Sequence, residues 1–341
     1  MTSRLHSLAF AFAGLLGLTA GSSIPLAVSQ PVTPFRIEIG STPISSFDRR
    51  EPERRRFGAL EFRGGLVLTS EHKRFGGFSG LRIAADGERF LALTDRGFWL
   101  RGRILTDGNR PTGIADAEMA PVLGPNGRPL AERGWYDTEA LAEHDGTLYV
   151  GIERVNRIVR FDYRRDGLLA RGQEIPTPAG VRNLARNAGI EALAFVPGDM
   201  PLAGTLIAIA EQGAGTASDI PGFLIRGPRP GTFTLRYRDD YNVTDAAIAP
   251  GSQLLVLERH FSFFRGALMR IRRLELTDVR PGALVDGEVL IEASLAQEID
   301  NMEAIAVHRN AGGETIITLL SDDNFNRLQR TILLRFAMIE R

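Results

Sequence analysis

Apolar and polar residues alternate along most of the chain in short runs, each closed by Gly, Pro or an Asp-Gly pair. That pattern predicts half-buried β-strands joined by tight turns. The stretch DTEALAEHDGTLYVGIER, Asp137 to Arg154, is a hairpin of this kind, with two alternating runs on either side of His144-Asp145-Gly146. The hairpin recurs as FSGLRIAADGERFLALTDRG, GIEALAFVPGDMPLAGTLIAIAEQ, VTDAAIAPGSQLLVLERH and NMEAIAVHRNAGGETIITLLSDDN. The matching positions Gly80, Glu139, Glu191, Asp245 and Glu303 are 59, 52, 54 and 58 residues apart. A repeat of about 55 residues holds four strands with their turns, which is one propeller blade.

Further strand-like runs fill out each unit, among them RIVRFDY, GFLIRG, TFTLRYR, ALMRIRRLEL and GEVLIEA. The fifth unit has only RTILLRFAMI before the chain ends, while FGALEFRGGLVLTS, Phe57 to Ser70, has no partner upstream. We therefore expect an all-β propeller of five four-stranded blades, with this N-terminal strand closing the last blade and removing an open sheet edge. A sixth blade would have to come from the less regular residues 36–56. A pair of β-sandwiches is the alternative, but a sandwich does not require regular repeats.

Acids stand at the same end of every hairpin. Pairing residues at a constant sum of numbers sets Glu139 opposite Glu153, Glu191 opposite Glu211, Asp245 opposite Glu258, Glu303 opposite Asp322, and Gly80 opposite Asp95. The first members should ring the channel mouth, with Asp95, Glu153, Glu211, Glu258 and Asp322 outside them. Asp137, Asn187, Asn242, Asp300 and Asn301 should crowd the same face.

Carboxylates gathered in one concavity repel one another unless compensated. A hard cation such as Ca²⁺ would do this through oxygen ligands, and Glu139, Glu191, Glu303, Asp322 and Asp323 are the candidate ligands, with Asn324 beside them. Arginines are the second compensation, and acids bracing neighbouring blades are the third. His72 and His260 are candidates for proton transfer, and Arg96 for orienting an anionic substrate, because each follows or precedes a mouth-forming strand. His144 and His308 fall near the turns at the other end. The cluster Phe261, Phe263 and Phe264 is expected to pack.

Composition narrows the setting. The chain of 341 residues is 43% hydrophobic and balances 41 basic against 41 acidic residues, which speaks against a general nucleic-acid or membrane-surface binder. It contains no cysteine, so neither a disulfide nor a thiolate ligand or nucleophile is available. Arg4 and His6 precede the apolar run Leu8 to Ala20, and Ala27-Val28-Ser29 supplies a small-residue exit, the pattern of a secretory leader. The expected organisation is a leader over 1–29, a lead-in over 30–56 and the propeller over 57–341. With the leader removed, no transmembrane span is expected, and the product would be a periplasmic or secreted monomer. No Gly-x-Ser-x-Gly elbow is present.

The runs GGLVLTSEHKRFGGFSGLRIAADGERFLALTDRG, WYDTEALAEHDGTLYVGIER, GIEALAFV and NMEAIAVHR with LLSDDNFN together resemble the phytase-like domain family, also described as esterase-like activity of phytase, from about Phe57 to Arg341. The resemblance implies an exported bacterial β-propeller, calcium-assisted, that hydrolyses phosphoesters or other esters of small molecules. The Asp-Asp-Pro-Ala type of metal motif of the well-understood propeller phytases is absent, and Ser321-Asp322-Asp323-Asn324 is its loose echo. Lys73, the chain's only lysine, forms with Arg74 and Arg96 the basic cluster expected near the mouth. A lactonase-like enzyme and a non-catalytic propeller that binds a ligand or envelope partner are the competing readings.

Overall fold

The computed structural model describes residues 32–185, 188–215, 217–262 and 266–339. The expected leader, Asn187, Phe263 and Phe264 lie outside the described residues.

Five mainly antiparallel sheets form the blades of a five-bladed propeller. Their innermost strands are Phe78–Ile83, Thr138–His144, Ile190–Phe195, Asn242–Ala249 and Asn301–Arg309. Each packs against the next, and the fifth returns to the first. From these strands the first four sheets run outward through three further strands in chain order, as the alternation predicted, and the third takes Leu284–Val285 as a parallel fifth strand; the second blade continues through Thr147–Ile152, Arg157–Asp162 and Gln173–Glu174.

The last blade is completed from the N-terminal side. Leu60–Thr69 pairs antiparallel with Thr331–Met338, and Gly40–Ile44 lies outside it. Phe35–Arg36 adds an edge to the first blade, so the segment expected as a lead-in contributes strands to two blades. The closure is fixed by packing as well as by pairing: Phe47 meets Phe57 and Phe336 edge to face at 4.8 and 5.1 Å, and all three are buried with Leu60 and Phe62. Burying side chains of this size contributes roughly 1.5–3 kcal/mol each.

Small residues line the centre because five strands converge there. Gly80, Ala140, Ala192 and Ala304 occupy one level, and a Cβ on Gly80 would stand 2.7 Å from the Leu141 Cβ of the next blade. One arginine spans this centre. Arg82, on the first inner strand, donates to both Asp245 oxygens at 3.2 and 3.4 Å, to the Leu193 carbonyl at 3.0 Å and to the Ile305 carbonyl at 3.2 Å. It thereby ties together four blades.

A bulge near the start of each inner strand changes the expected hairpin register. Phe78 pairs with Thr94 and Gly80 with Leu93, leaving Ser79 unpaired; the same shift leaves out Glu139, Glu191, Thr244 and Glu303. A bulge residue is free to aim its side chain away from the ladder. The expected facing of Glu139 and Glu153 is corrected accordingly: Thr138 is the backbone partner of Ile152, and the Glu153 N–H donates to the Asp137 carbonyl at 2.8 Å.

Candidate functional site

The bulges define a five-fold set. At the bulge itself stand Ser79, Glu139, Glu191, Thr244 and Glu303. One step beyond the pairing across the bulge, the second strand or the residue that follows it brings in Asp95, Glu153, Glu211, Arg259 and Asp322. The first three donate their backbone N–H to the carbonyls of Gly77, Asp137 and Gly189, and the last two pair with Asn242 and Asn301. In the fourth blade, therefore, Thr244 and Arg259 hold the positions that constant-sum pairing assigned to Asp245 and Glu258. Ser79 likewise replaces Gly80 as the first-blade counterpart.

The two hydroxyl members stitch blades together. Ser79 donates to the Thr138 carbonyl at 2.5 Å and Thr244 to the Met302 carbonyl at 3.2 Å, each just ahead of a bulge glutamate of the next blade. The acidic members face a cavity of about 380 Å³ lined by Asp95, Glu139, Glu153, Glu191, Glu211, Glu303 and Asp322, with Arg259, Ser79, Phe78, Gln212 and Asn324. Among the described residues, seven carboxylates thus share one mouth with a single guanidinium.

Their electrostatics follow from that crowding. Burial, reinforced by the charges of Glu303, Asp95, Glu153 and Asp137, holds Glu139 well above the usual carboxylate range. Burial and then Glu139, Glu211, Glu153 and Glu303 do the same to Glu191. Burial pushes Glu303 up to about 7 against the opposing pull of Arg259 and Asn301. Asp322 is raised to about 7 and Asp95 to about 6, again by burial first, with neighbouring carboxylates adding. Glu153 and Glu211 are raised as well, chiefly by burial. Among the described residues, Glu139 and Glu191 have no hydrogen bond or direct ion pair to offset this.

Glu153, Glu191 and Glu211 each offer an oxygen within 4.8 Å of the other two, close enough to share one cation. Glu153 and Glu211 were expected only outside the ligand ring. Asp95 Oδ1 is buried without a hydrogen-bond partner.

The remaining candidates lie elsewhere. Asp245 is fully buried beneath the mouth in the Arg82 crosspiece, and it also accepts the Ile305 N–H at 3.0 Å. Burial raises it to about 6 against the opposing pull of Arg82 and of the Ile305 and Ala246 N–H groups. Glu258 points away from the mouth because it alternates with Arg259. It is fully buried between Arg270 Nε at 2.6 Å and Arg272 Nε at 2.8 Å, and those arginines reach Asp239 and Asp286. Asp323 holds its loop by accepting from Gly77 N–H at 3.3 Å, Phe325 N–H at 3.0 Å and Thr331 Oγ1 at 3.1 Å. Asn301 bridges Arg259 and Glu303, at 2.8 and 2.7 Å.

Neither histidine is among the residues lining the cavity. His72 Nδ1 accepts the Arg74 N–H at 3.3 Å and its ring lies 4.9 Å from Phe35; His260 Nδ1 is 2.8 Å from the Asp240 carbonyl. Arg96 stacks 3.3 Å over the Phe325 ring and, with Lys73, Arg74 and Phe98, lines a separate cavity of about 270 Å³. Sequence reasoning placed Arg259 beside the ring, as one of the arginines that follow a second-strand acid and could compensate the carboxylates, and missed that it is itself a ring member. The signal that finds it is the apolar column Ile190, Val243, Met302, which aligns Thr244 with the bulge glutamates and so brings Arg259, not Glu258, into the ring.

Residues 73–325 match the sequence profile of the phytase-like family, described as esterase-like activity of phytase. The chain belongs to this phytase-like family. No curated protein matches it. Among solved structures, the phytase-like chain is similar to the glutaminyl cyclase of Myxococcus xanthus at 12% identity and a TM-score of 0.39, covering 78% of this chain and 92% of that one. A chain of the mitotic checkpoint complex matches at 12% identity and 0.39, with 99% of each covered. The dihydro-heme d1 dehydrogenase NirN in complex with DHE matches at 13% and 0.33, covering 82% and 54%. Scores this low assign none of these proteins' properties to the phytase-like chain, whose fold rests on the strand pairing above.

Proposed function

We propose that the acidic mouth is a divalent-cation site, suited to Ca²⁺, at which phosphoesters or other esters are hydrolysed. The observation that carries this reading is the convergence of Glu153, Glu191 and Glu211 within 4.8 Å inside a seven-carboxylate cavity. The donor set fits a hard cation, since it consists of carboxylates with neutral oxygens from Ser79, Gln212 and Asn324 nearby. A transition metal that prefers nitrogen or sulfur would find neither among these oxygens.

When bound, such a cation supplies Lewis-acid polarisation of a phosphoryl or carbonyl oxygen. The chain's own contribution is held by three residues. Glu303 and Asp322, both raised to about 7, are able to take up or release a proton near neutrality, the task first assigned to His72 and His260. Arg259 keeps Glu303 oriented at 3.1 Å.

We also place the protein in the periplasm or outside the cell, on the strength of the leader-like segment 1–29. Among the described residues no helix is long and apolar enough to cross a membrane.

The test is turnover across a panel of aryl phosphates, phytate, aryl esters and lactones, with calcium and then with chelator. The proposal expects at least one class to turn over with calcium, and chelator to stop it. Calcium binding without turnover anywhere on the panel would favour the non-catalytic, ligand-binding reading.

A further inference from the structure

Arg259 occupies the ring position that a carboxylate takes in the other four blades, and three oxygens converge on it. Its Nη1 lies 3.1 Å from Glu303 Oε1 and donates to Asn301 Oδ1 at 2.8 Å, while Nη2 is 3.9 Å from Glu211 Oε1. Two carboxylates and an amide oxygen around one positive group form the donor set of a hard-cation site. The amide groups are set for that task. Asn301 Nδ2 donates to the same Glu303 oxygen at 2.7 Å, and Asn242 Nδ2 donates to Glu211 Oε1 at 3.1 Å, so both glutamates are pinned with charge directed at the guanidinium. Arg259 is itself held as a cation, above all by Glu303 and then by Glu191, Glu211 and Glu139.

We infer that Arg259 is a resident cation that fills one of two cation positions in the mouth, so that the protein binds one divalent ion where a ring of five acids would bind two. The inference rests on the reading of the mouth as a cation site. Glu211 couples the two positions, since it belongs to the Glu153–Glu191–Glu211 group and also faces Arg259. The arrangement leaves the exchangeable ion on the Glu153 side and a fixed charge on the Glu303 side. A guanidinium cannot be stripped by chelator, so the Glu303 side stays neutralised when the metal is removed.

The experiment is calorimetric titration of the full-length protein with Ca²⁺ at neutral pH, comparing wild type with Arg259→Ala, Arg259→Gln and Arg259→Lys, each first checked for a cooperative melt. The expected result is one equivalent for wild type and Arg259→Lys and a second equivalent for Arg259→Ala and Arg259→Gln. Adding Glu303→Gln to Arg259→Ala should remove the second equivalent and keep the first. The same stoichiometry and affinity in wild type and both neutral variants overturns the inference while leaving the cation site standing, as does a wild type that already binds two ions. No binding by wild type or by any variant overturns both the inference and the cation-site reading.

Discussion

Replacing Asp322 by Asn should stabilise the metal-free protein at alkaline pH. Asp322 is 7% exposed, and its carboxyl is raised from 3.8 to about 7, first by burial and then by Glu303, Asp95 and Asp323. A group that binds its proton more tightly folded than unfolded contributes stability that is complete below the unfolded value. That stability is lost as pH rises through the folded value, here between about pH 4 and 7. A rise of about three units at about 1.4 kcal/mol each gives a cost of about 4 kcal/mol above pH 7, an upper bound because the acids share their repulsion. Asn keeps an oxygen to accept the Asn324 N–H, which lies 2.7 Å from Asp322 Oδ1. We therefore expect Asp322→Asn to gain about 2–4 kcal/mol over wild type at pH 8 and little at pH 4, measured by urea unfolding in chelator. A variant no more stable than wild type at pH 8 would refute the view that this carboxylate is held ionised at a cost.

Other consequences separate the structural acids from the mouth. Glu258→Gln should cost about 3–5 kcal/mol in chemical denaturation, because it leaves Arg270 and Arg272 buried without their carboxylate, and calcium affinity should not change. Gly80→Ala places a Cβ 2.7 Å from the Leu141 Cβ and should cost about 1–3 kcal/mol, read as a lower melting temperature. A chain beginning at Ser70 loses the strand Leu60–Thr69 that pairs with Thr331–Met338, and should fail to show a cooperative unfolding transition.

The architecture was legible because each blade repeats the same alternation, and an unpaired strand near Leu60 together with a unit one strand short at the end implied the closure. What alternation does not reveal is a bulge. One extra residue in each inner strand shifts every pairing beyond it, and in four hairpins the shift left the same acids near the mouth. In the fourth blade it did not. Thr244 and Arg259 stand beside Asp245 and Glu258, so a one-residue error exchanged a hydroxyl and a guanidinium for two acids, both of which prove to be buried in ion pairs. The histidines were misplaced for a different reason. Proximity in sequence to a mouth strand says nothing about the direction of a side chain, and His260 alternates with Arg259 and so points the other way. The trio Glu153, Glu191 and Glu211 depends on side-chain convergence between neighbouring blades, which spacing alone does not encode.

The central claim, that the mouth is a divalent-cation site, is tested most directly by titrating Ca²⁺ into wild type and Glu191→Gln at pH 7.5 in a calorimeter. Glu191 is the member of the trio that comes from a bulge and has no hydrogen bond or direct ion pair among the described residues, so the substitution removes a ligand without breaking a contact. The account predicts saturable binding by wild type that is lost or greatly weakened in the variant. Absence of binding to wild type, or equal binding to both proteins, would contradict it.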